Sequence, residues 1–295
     1  MPENTQTLAA GGVLTQTQVA ALLLQPLQAA SVFLASGPRI FDTAGGNTLR
    51  IPRLTGSTGA AWVCEAQAIP DDDVTFGELT LLPKQMCSLK VITKVSDELL
   101  RQSIVALDAV LKARLVNDVA AALDTELIAG TTTDGTRPRG LLNQPGVQTM
   151  AVGGAATFDV LYDMIGRLLT ANVDATAARW LMTPGVFQSL RKTKDAGGGY
   201  LMMPSVTEQG AFRLLGYPVQ VTPRIPTTGT GAGTTKIVLW TPSMYAVARD
   251  IAPEVKVLVE RYADTGQVGI RVQARYDAAP LYPESVVIAT GVAGG

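Results

Sequence analysis

The stretch Gly130 to Val147, GTTTDGTRPRGLLNQPGV, decides how this chain is organised. It follows a long helical periodicity and then abandons it. Upstream, Leu99, Leu100, Ile104, Leu107, Leu111, Leu115, Val119, Leu123 and Leu127 recur three or four apart up to Ile128. That spacing predicts one apolar stripe on a helix of about 30 residues, roughly 45 Å long, with a break near Ser103. Ser96 is the expected N-cap, and Asp97 and Glu98 fall in the first turn, where carboxylates suit the positive end of the helix dipole. Gly130 is expected to end the helix as a left-handed C-cap.

Before the helix, between Thr48 and Thr93, the text is strand-like. LRIPRL, AAWVCEA, VTFGELTLL and CSLKVIT alternate apolar with polar residues, interrupted by TGSTG and IPDDD. A long, mostly two-stranded hairpin follows from this. It has too little apolar face to stand alone in water, so it must lie on its own body or on another chain. The run VAALLLQPLQAASVFLASG from Val19 carries Gln25, Pro26 and Gln28 and lacks a basic segment ahead of it. It fits neither a secretory signal nor a membrane span, and reads as a short amphipathic helix broken at Pro26, behind a flexible first dozen residues.

After the decisive stretch, TFDVLYDMIGRLL predicts a Thr157-capped helix with Phe158, Leu161, Tyr162, Ile165 and Leu169 on one side. A buried strand, ARWLMT, and a short helix begun by Pro184 come next. LLGYPVQVT and TKIVLW are further strands around the Gly/Thr-rich TTGTGAGTT. Then EVKVLVERYADTGQVGIRVQARY reads as a long hairpin turning at ADTG, and SVVIAT as a last apolar strand. The fold class expected is α+β, with an α/β unit inserted after the long helix.

Composition narrows the function. The 295 residues are 47% hydrophobic and 17% charged, enough to bury a sizeable core. A formal charge of -1 and no basic run interleaved with aromatics argue against tight nucleic-acid binding. There is no histidine, which excludes every Ser-His-Asp or Cys-His arrangement within this chain and removes the commonest metal ligand. Cys64 and Cys87 form no CxxC pair. Two reduced, packed thiols are the preferred reading, with a single bridge open if both lie in one extended hairpin. GTTTDGTR has the length of a phosphate loop but lacks the Lys-Ser/Thr ending and follows a helix. Asp71 to Asp73 could draw a cation, though a solvated turn after Pro70 is the plainer reading. No catalytic, cofactor-binding or metal-ligating residue is assigned.

One order of residues goes further. Trp62, Glu65, Pro70, Asp73, Thr75, Phe76, Pro83, Lys84, Ser96, Glu98, Leu99, Leu100, Gly130, Gly135, Pro138, Gly140 and Leu141 occur in an order and spacing that resembles the major capsid protein of tailed bacteriophages with the HK97 fold. LMTPGVFQSLRKTKDAGGGYL and LLGYPV look like the same family, and the resemblance runs from about Leu23 to the end.

What the resemblance implies is an N-terminal arm and short helix at 1–45, an extended E-loop hairpin at 46–93 and a P-domain spine helix at 94–136. An A-domain at 137–245, a P-domain β-hairpin at 246–277 and a C-terminal strand returning to the A-domain at 278–295 complete it. The Gly130–Val147 stretch becomes the hand-over from spine to A-domain, where glycines permit a sharp exit and prolines stiffen it.

The implied function is a structural protein of the virion, not an enzyme. It would assemble in the bacterial host cytoplasm into hexamers and pentamers of an icosahedral shell that encloses DNA without specific binding, with no membrane partner and no cofactor. A portal, a scaffolding protein and a decoration protein are the family's other partners. Many relatives carry an N-terminal scaffolding segment that a protease removes, whereas here Met1 lies close ahead of the first recognisable helix. Either scaffolding comes from a separate protein or a short arm suffices.

Some relatives lock the shell by an isopeptide bond between a lysine and an asparagine, assisted by a glutamate. Those positions fall at Ile69, near Gly266 and near Gln273, so no autocatalytic cross-link is expected. Lys84 or Asn143 could in principle react elsewhere, but a lysine needs positioning and desolvation to be nucleophilic, and nothing in the sequence points to that. Two other readings stand beside this one: an encapsulin-type bacterial nanocompartment, and an uncharacterised enzyme built on Asp71 to Asp73 with Lys84.

Overall fold

The computed structural model describes residues 31–43, 48–54, 62–65, 67, 76–96, 98, 107–194, 197–199, 212–229, 233–258 and 260–294. Their order is α1 (Val32–Ala35), β1 (Arg39–Asp42), β2 (Leu49–Leu54), β3 (Phe76–Leu81), β4 (Leu89–Ser96), α2 (Leu107–Ala129), β5 (Gln148–Ala151), α3 (Phe158–Thr170) and β6 (Arg179–Met182). Then come α4 (Pro184–Arg191), β7 (Arg213–Leu214), β8 (Tyr217–Val221), β9 (Thr234–Trp240), β10 (Tyr245–Leu258), β11 (Gln267–Pro280) and β12 (Val286–Ala293).

The long helix and the sheet beside it follow from complementary periodicities. A four-stranded sheet in the order β1-β10-β11-β4 buries Leu89, Val91, Ile270 and Val272 against Leu115, Val116, Val119 and Ala120 of α2. Residues alternate across a strand, and at one end of the opposite face Leu81, Leu82 and Met86 of the hairpin root pack on Ala246, Ala248 and Ala279. The expected stripe holds along the described half of the helix, where Leu115, Val119, Leu123, Leu127 and Ile128 are all buried. The onset of the helix and the break near Ser103 lie outside the described residues; Ser96 itself is the last residue of β4 and pairs with Gln267.

A second sheet of six strands runs β5-β12-β9-β6-β8-β7 and carries α3 and α4 over a core that includes Trp180, Met182, Val186 and Leu190. Thr157 caps α3, its hydroxyl accepting from the Val160 amide at 3.4 Å. The buried face differs from the expected one. Leu161, Met164 and Leu168 point inward, with Phe158 and Ile165 partly buried beside them, while Tyr162 and Leu169 are 59% and 58% exposed. Each of these two lies one position, about 100°, beyond a buried leucine, and a helix resting on a sheet covers only one side.

The two sheets share a core. Phe33 of α1 stacks on Trp240 at 5.1 Å between centroids and meets Tyr245 edge-on at 5.5 Å, and Leu123, Leu127 and Ile288 close the cluster. β10 and β11 pair antiparallel from Tyr245↔Pro280 to Leu258↔Gly269, so the expected hairpin is longer than its text. Its connection is a 3-10 segment, Glu260–Thr265, leading into Gly266 at φ 60°.

Three strand assignments change. CSLKVIT, read with the projecting hairpin, forms β4 of the four-stranded sheet and pairs with β11. AAWVCEA is not a strand at its described residues Trp62, Val63, Cys64 and Glu65. LLGYPVQVT is a tight hairpin, β7 to β8, turning through Leu215 and Gly216 at φ 52° and 85°. The residues assigned to the flexible arm and to the helix broken at Pro26 lie outside the described residues.

Candidate functional site

The projecting hairpin is a ladder of two strands only. β2 and β3 pair from Leu49↔Leu81 at the root to Leu54↔Phe76 at the far end, in a sheet of their own. Beyond that end Trp62 is 105% exposed, and Phe76 is 75% exposed. Large aromatic rings left in water on a thin ladder carry an unsatisfied hydrophobic driving force, of the kind that a partner surface removes. Cys64 and Cys87 are free thiols, and both are exposed rather than packed as the sequence suggested.

The root is held far more firmly than the tip. Leu82, directly after β3, is buried in the left-handed region at φ 55°, a conformation that costs a non-glycine residue about 1–2 kcal/mol. Its amide donates to the Asp277 carboxylate of β11 at 2.8 Å, and the other oxygen of that carboxylate accepts from the Ala278 amide at 2.9 Å. Burial pushes the Asp277 carboxyl up to about 6, against the opposing pull of the two amides and of Arg275. Arg275 donates to Asp250 at 3.1 Å and to the Pro83 carbonyl at 3.0 Å, tying the same turn to β10 and β11.

The Gly130–Val147 stretch fastens this root from the other side. Gln85 donates to the Asp134 carbonyl at 2.7 Å, and the Cys87 amide to the Thr136 carbonyl at 2.8 Å. Asp134 shapes its own turn by accepting from the Thr136 amide and hydroxyl at 2.9 and 2.7 Å, bonds that hold its carboxyl below the usual range. At its start the stretch closes on the helix end. Gly140 donates to the Gly130 carbonyl at 2.9 Å, and the Asn143 amide group to the Ala129 and Gly130 carbonyls at 3.2 and 3.0 Å. At its finish Gln144 donates to the Ala278 carbonyl at 3.1 Å.

Gly130 is therefore not a left-handed cap, since it is absent from the positive-φ glycines. A Cβ on it would sit 2.5 Å from the Glu126 and Pro138 carbonyls, and one on Gly140 would sit 2.4 Å from the Gly130 nitrogen. The two glycines are there so that two backbones can touch.

Other candidates from the sequence resolve differently. Asn143 is engaged as a cap of the helix carbonyls, and Lys84 is exposed on the root turn. Asp71 to Asp73 and Ile69 lie outside the described residues; Gly266 is the turn glycine before β11, and Gln273 faces Lys90 across the β11–β4 pair. Among the described residues no group of three His, Cys, Asp or Glu side chains is placed to hold a metal ion, and no helix is long and apolar enough to cross a membrane. An open cleft of about 150 Å³ lies beside the helix end, lined by Thr125, Glu126, Thr131, Thr132 and Arg137. The Glu126–Arg137 ion pair at 3.4 Å forms part of its lining.

A spine helix packed on a four-stranded sheet, a second α/β sheet and a firmly rooted two-stranded projection together make the HK97-like architecture of viral shell subunits. The chain belongs to the phage capsid family, whose sequence profile matches residues 11–291. Its members are structural proteins rather than enzymes, and so is this chain. It is 25% identical over 197 residues to the major capsid protein of Halomonas phage phiHAP-1, a match covering 66% of this chain and 32% of that protein. The chain thus spans about a third of that relative's length.

Among solved structures, the capsid of a native GTA particle superposes with a TM-score of 0.72 at 20% identity, covering 89% of this chain and 90% of that one. A structure from Microbacterium phage Oxtober96 gives 0.71 at 16% identity over 89% and 90%.

Proposed function

We propose that this chain is a major capsid protein that assembles with copies of itself, as hexamers and pentamers, into an icosahedral shell around phage double-stranded DNA. The observation that carries this reading is the projecting ladder with Trp62 and Phe76 exposed beyond a root pinned by Asp277 and Arg275. A rigidly anchored apolar projection is suited to cover, and be covered by, a neighbour. In this reading the hairpin is the E-loop, α2 and the four-stranded sheet are the P-domain, and the six-stranded sheet with α3 and α4 is the A-domain. Scaffolding, portal and decoration proteins are its other partners, and assembly takes place in the bacterial cytoplasm.

The shell forms without an autocatalytic isopeptide bond. Glycine at 266 and glutamine at 273 offer neither the amide nor the carboxylate that such a reaction uses at those positions. The test is electron microscopy of the purified chain over a range of concentrations, alone and co-expressed with scaffolding protein. Closed shells, sheets or rings support the reading, and their diameter separates a virus head from a small compartment. A chain that stays monomeric in both settings overturns it. Purified shells boiled in denaturant should run as monomer on a gel, and a covalent ladder would refute the uncross-linked form.

A further inference from the structure

Among the described residues the β2–β3 ladder pairs with no third strand, so its attitude to the body is set where its root meets β10 and β11. The apolar seat there is shallow. Leu81, Leu82 and Met86 rest on Ala246, Ala248 and Ala279, whose single methyl groups offer little to interlock with. What fixes the angle is polar: the Leu82 amide on Asp277 at 2.8 Å, and Arg275 on the Pro83 carbonyl at 3.0 Å. Both anchors come from β11 and grip consecutive residues of one turn. Leu82 stands at φ 55°, a conformation unfavourable to a leucine, so the turn relaxes once that amide is let go.

The two anchors are coupled through charge. Arg275 also donates to Asp250 at 3.1 Å; the two side chains are 12% and 4% exposed, and the Arg275 Nε has no acceptor. Among the described residues, three charged or titratable groups act on Asp277 directly or through this guanidinium. They are Arg275 on its own strand, Asp250 of β10, and the Tyr245 phenol of β10, which burial and the Asp277 carboxylate both push up. From the other elements packed here, the root turn presents the Leu82 amide, with Lys84 exposed, and the Gly130–Val147 stretch presents the uncharged Gln144. A proton on Asp277 leaves Arg275 free to serve Asp250 and Pro83. Without that proton Arg275 faces two buried carboxylates, and its bond to Pro83 is the one not made to a charge. Water admitted at the turn then relieves the excess negative charge.

We propose that Asp277 is a proton-operated latch on the hairpin: protonated, it holds the Leu82–Pro83 turn closed on β11, and ionised, it frees the β2–β3 ladder to swing. The latch is a property of the single chain and stands or falls apart from the shell reading above.

The test follows the full chain, kept below its assembling concentration, at pH 5 and pH 7.5. Amide hydrogen exchange of the Leu82 peptide, corrected for the intrinsic pH dependence of exchange, reports opening of the turn. With the closed carboxyl at about 6 and the open one at 3.8, that opening should rise about tenfold between the two pH values. Exchange in β9 of the other sheet should show no such rise. In Asp277→Asn, which has no proton to release, the rise should vanish. Spin labels on native Cys87 and on F76C, in a C64S background, measure the swing itself. Their distance distribution should broaden at pH 7.5, and should not do so when D277N is added.

Corrected exchange that is flat with pH, a rise that survives in D277N, or label distances that ignore pH each overturn the latch. Should D277N fail to fold, the wild type decides alone. Its exchange rise has to level off at the pH where carbon-13 NMR shows Asp277 losing its proton, and a mismatch between the two overturns the assignment.

Discussion

The Asp124 carboxylate, on the inner side of α2, accepts a hydrogen bond from the Ser31 hydroxyl at 2.5 Å across 93 residues of sequence. The same carboxylate accepts from the Val32 and Phe33 amides at 2.8 and 3.2 Å, while the Ser31 hydroxyl itself accepts from the Leu34 amide at 3.1 Å. A long helix thus supplies the cap of a four-residue one, and that cap places Phe33 on Trp240. Burial raises the Asp124 carboxyl above its ordinary range although the three donors and Arg224 pull the other way.

Asp124→Ala should therefore cost about 2–4 kcal/mol, because it strands three donors at once, two of them buried. Asp124→Asn, which keeps one acceptor oxygen, should lose less. Urea unfolding of the two variants checks the order, and equal losses would show that packing rather than hydrogen bonding sets the cost.

Asp277 gives a pH dependence with a definite sign. Its folded-state value of about 6 lies above the ordinary 3.8, so between those values the folded chain holds a proton that the unfolded chain has released. The contribution of this group is complete below about 4 and is lost as the pH rises through about 6. The stability of wild type minus that of Asp277→Asn should fall by about 2 kcal/mol from pH 4 to pH 7, read from urea midpoints at each pH. A difference that does not change with pH would contradict the buried carboxylate.

Three glycines should respond in opposite ways to alanine. Gly130→Ala and Gly140→Ala drive a Cβ into backbone atoms at 2.5 and 2.4 Å and should destabilise by about 3 kcal/mol or more. Gly166→Ala meets nothing within 4 Å on the exposed side of α3 and should stabilise by about 0.5–1 kcal/mol. Thermal melts of the three variants check both signs.

Cys64 and Cys87 are both exposed and free, so the unassembled native chain should react with a thiol reagent at both positions before any unfolding. Reaction at only one position, or only in denaturant, would contradict the exposed placement.

Local patterning was legible wherever one face of an element met the core. The stripe from Leu115 to Ile128, the Thr157 cap and the buried strand around Trp180 could all be read from spacing and residue type. The two helix faces show the limit: the same text allows Tyr162 and Leu169 to be counted with Leu161, and only the position of the sheet under α3 separates them. The hairpin text was legible as strand, but CSLKVIT could not be told from its neighbours, because alternation states which face is apolar and not which strand lies alongside.

By itself the sequence determined the order of elements, the absence of histidine chemistry and a projection that cannot stand alone. Tertiary structure decided which groups close on one another. Leu82 and Asp277 are 195 positions apart, and Gln144 reaches Ala278 across 134. Gly130 looked like a helix terminator, and its actual constraint is the Pro138 carbonyl at 2.5 Å from where a side chain would begin. The reason is that helical and strand periods are set by bonds within a few residues, whereas a buried acid or a bare backbone contact is defined by its partner, and chain folding alone brings that partner near.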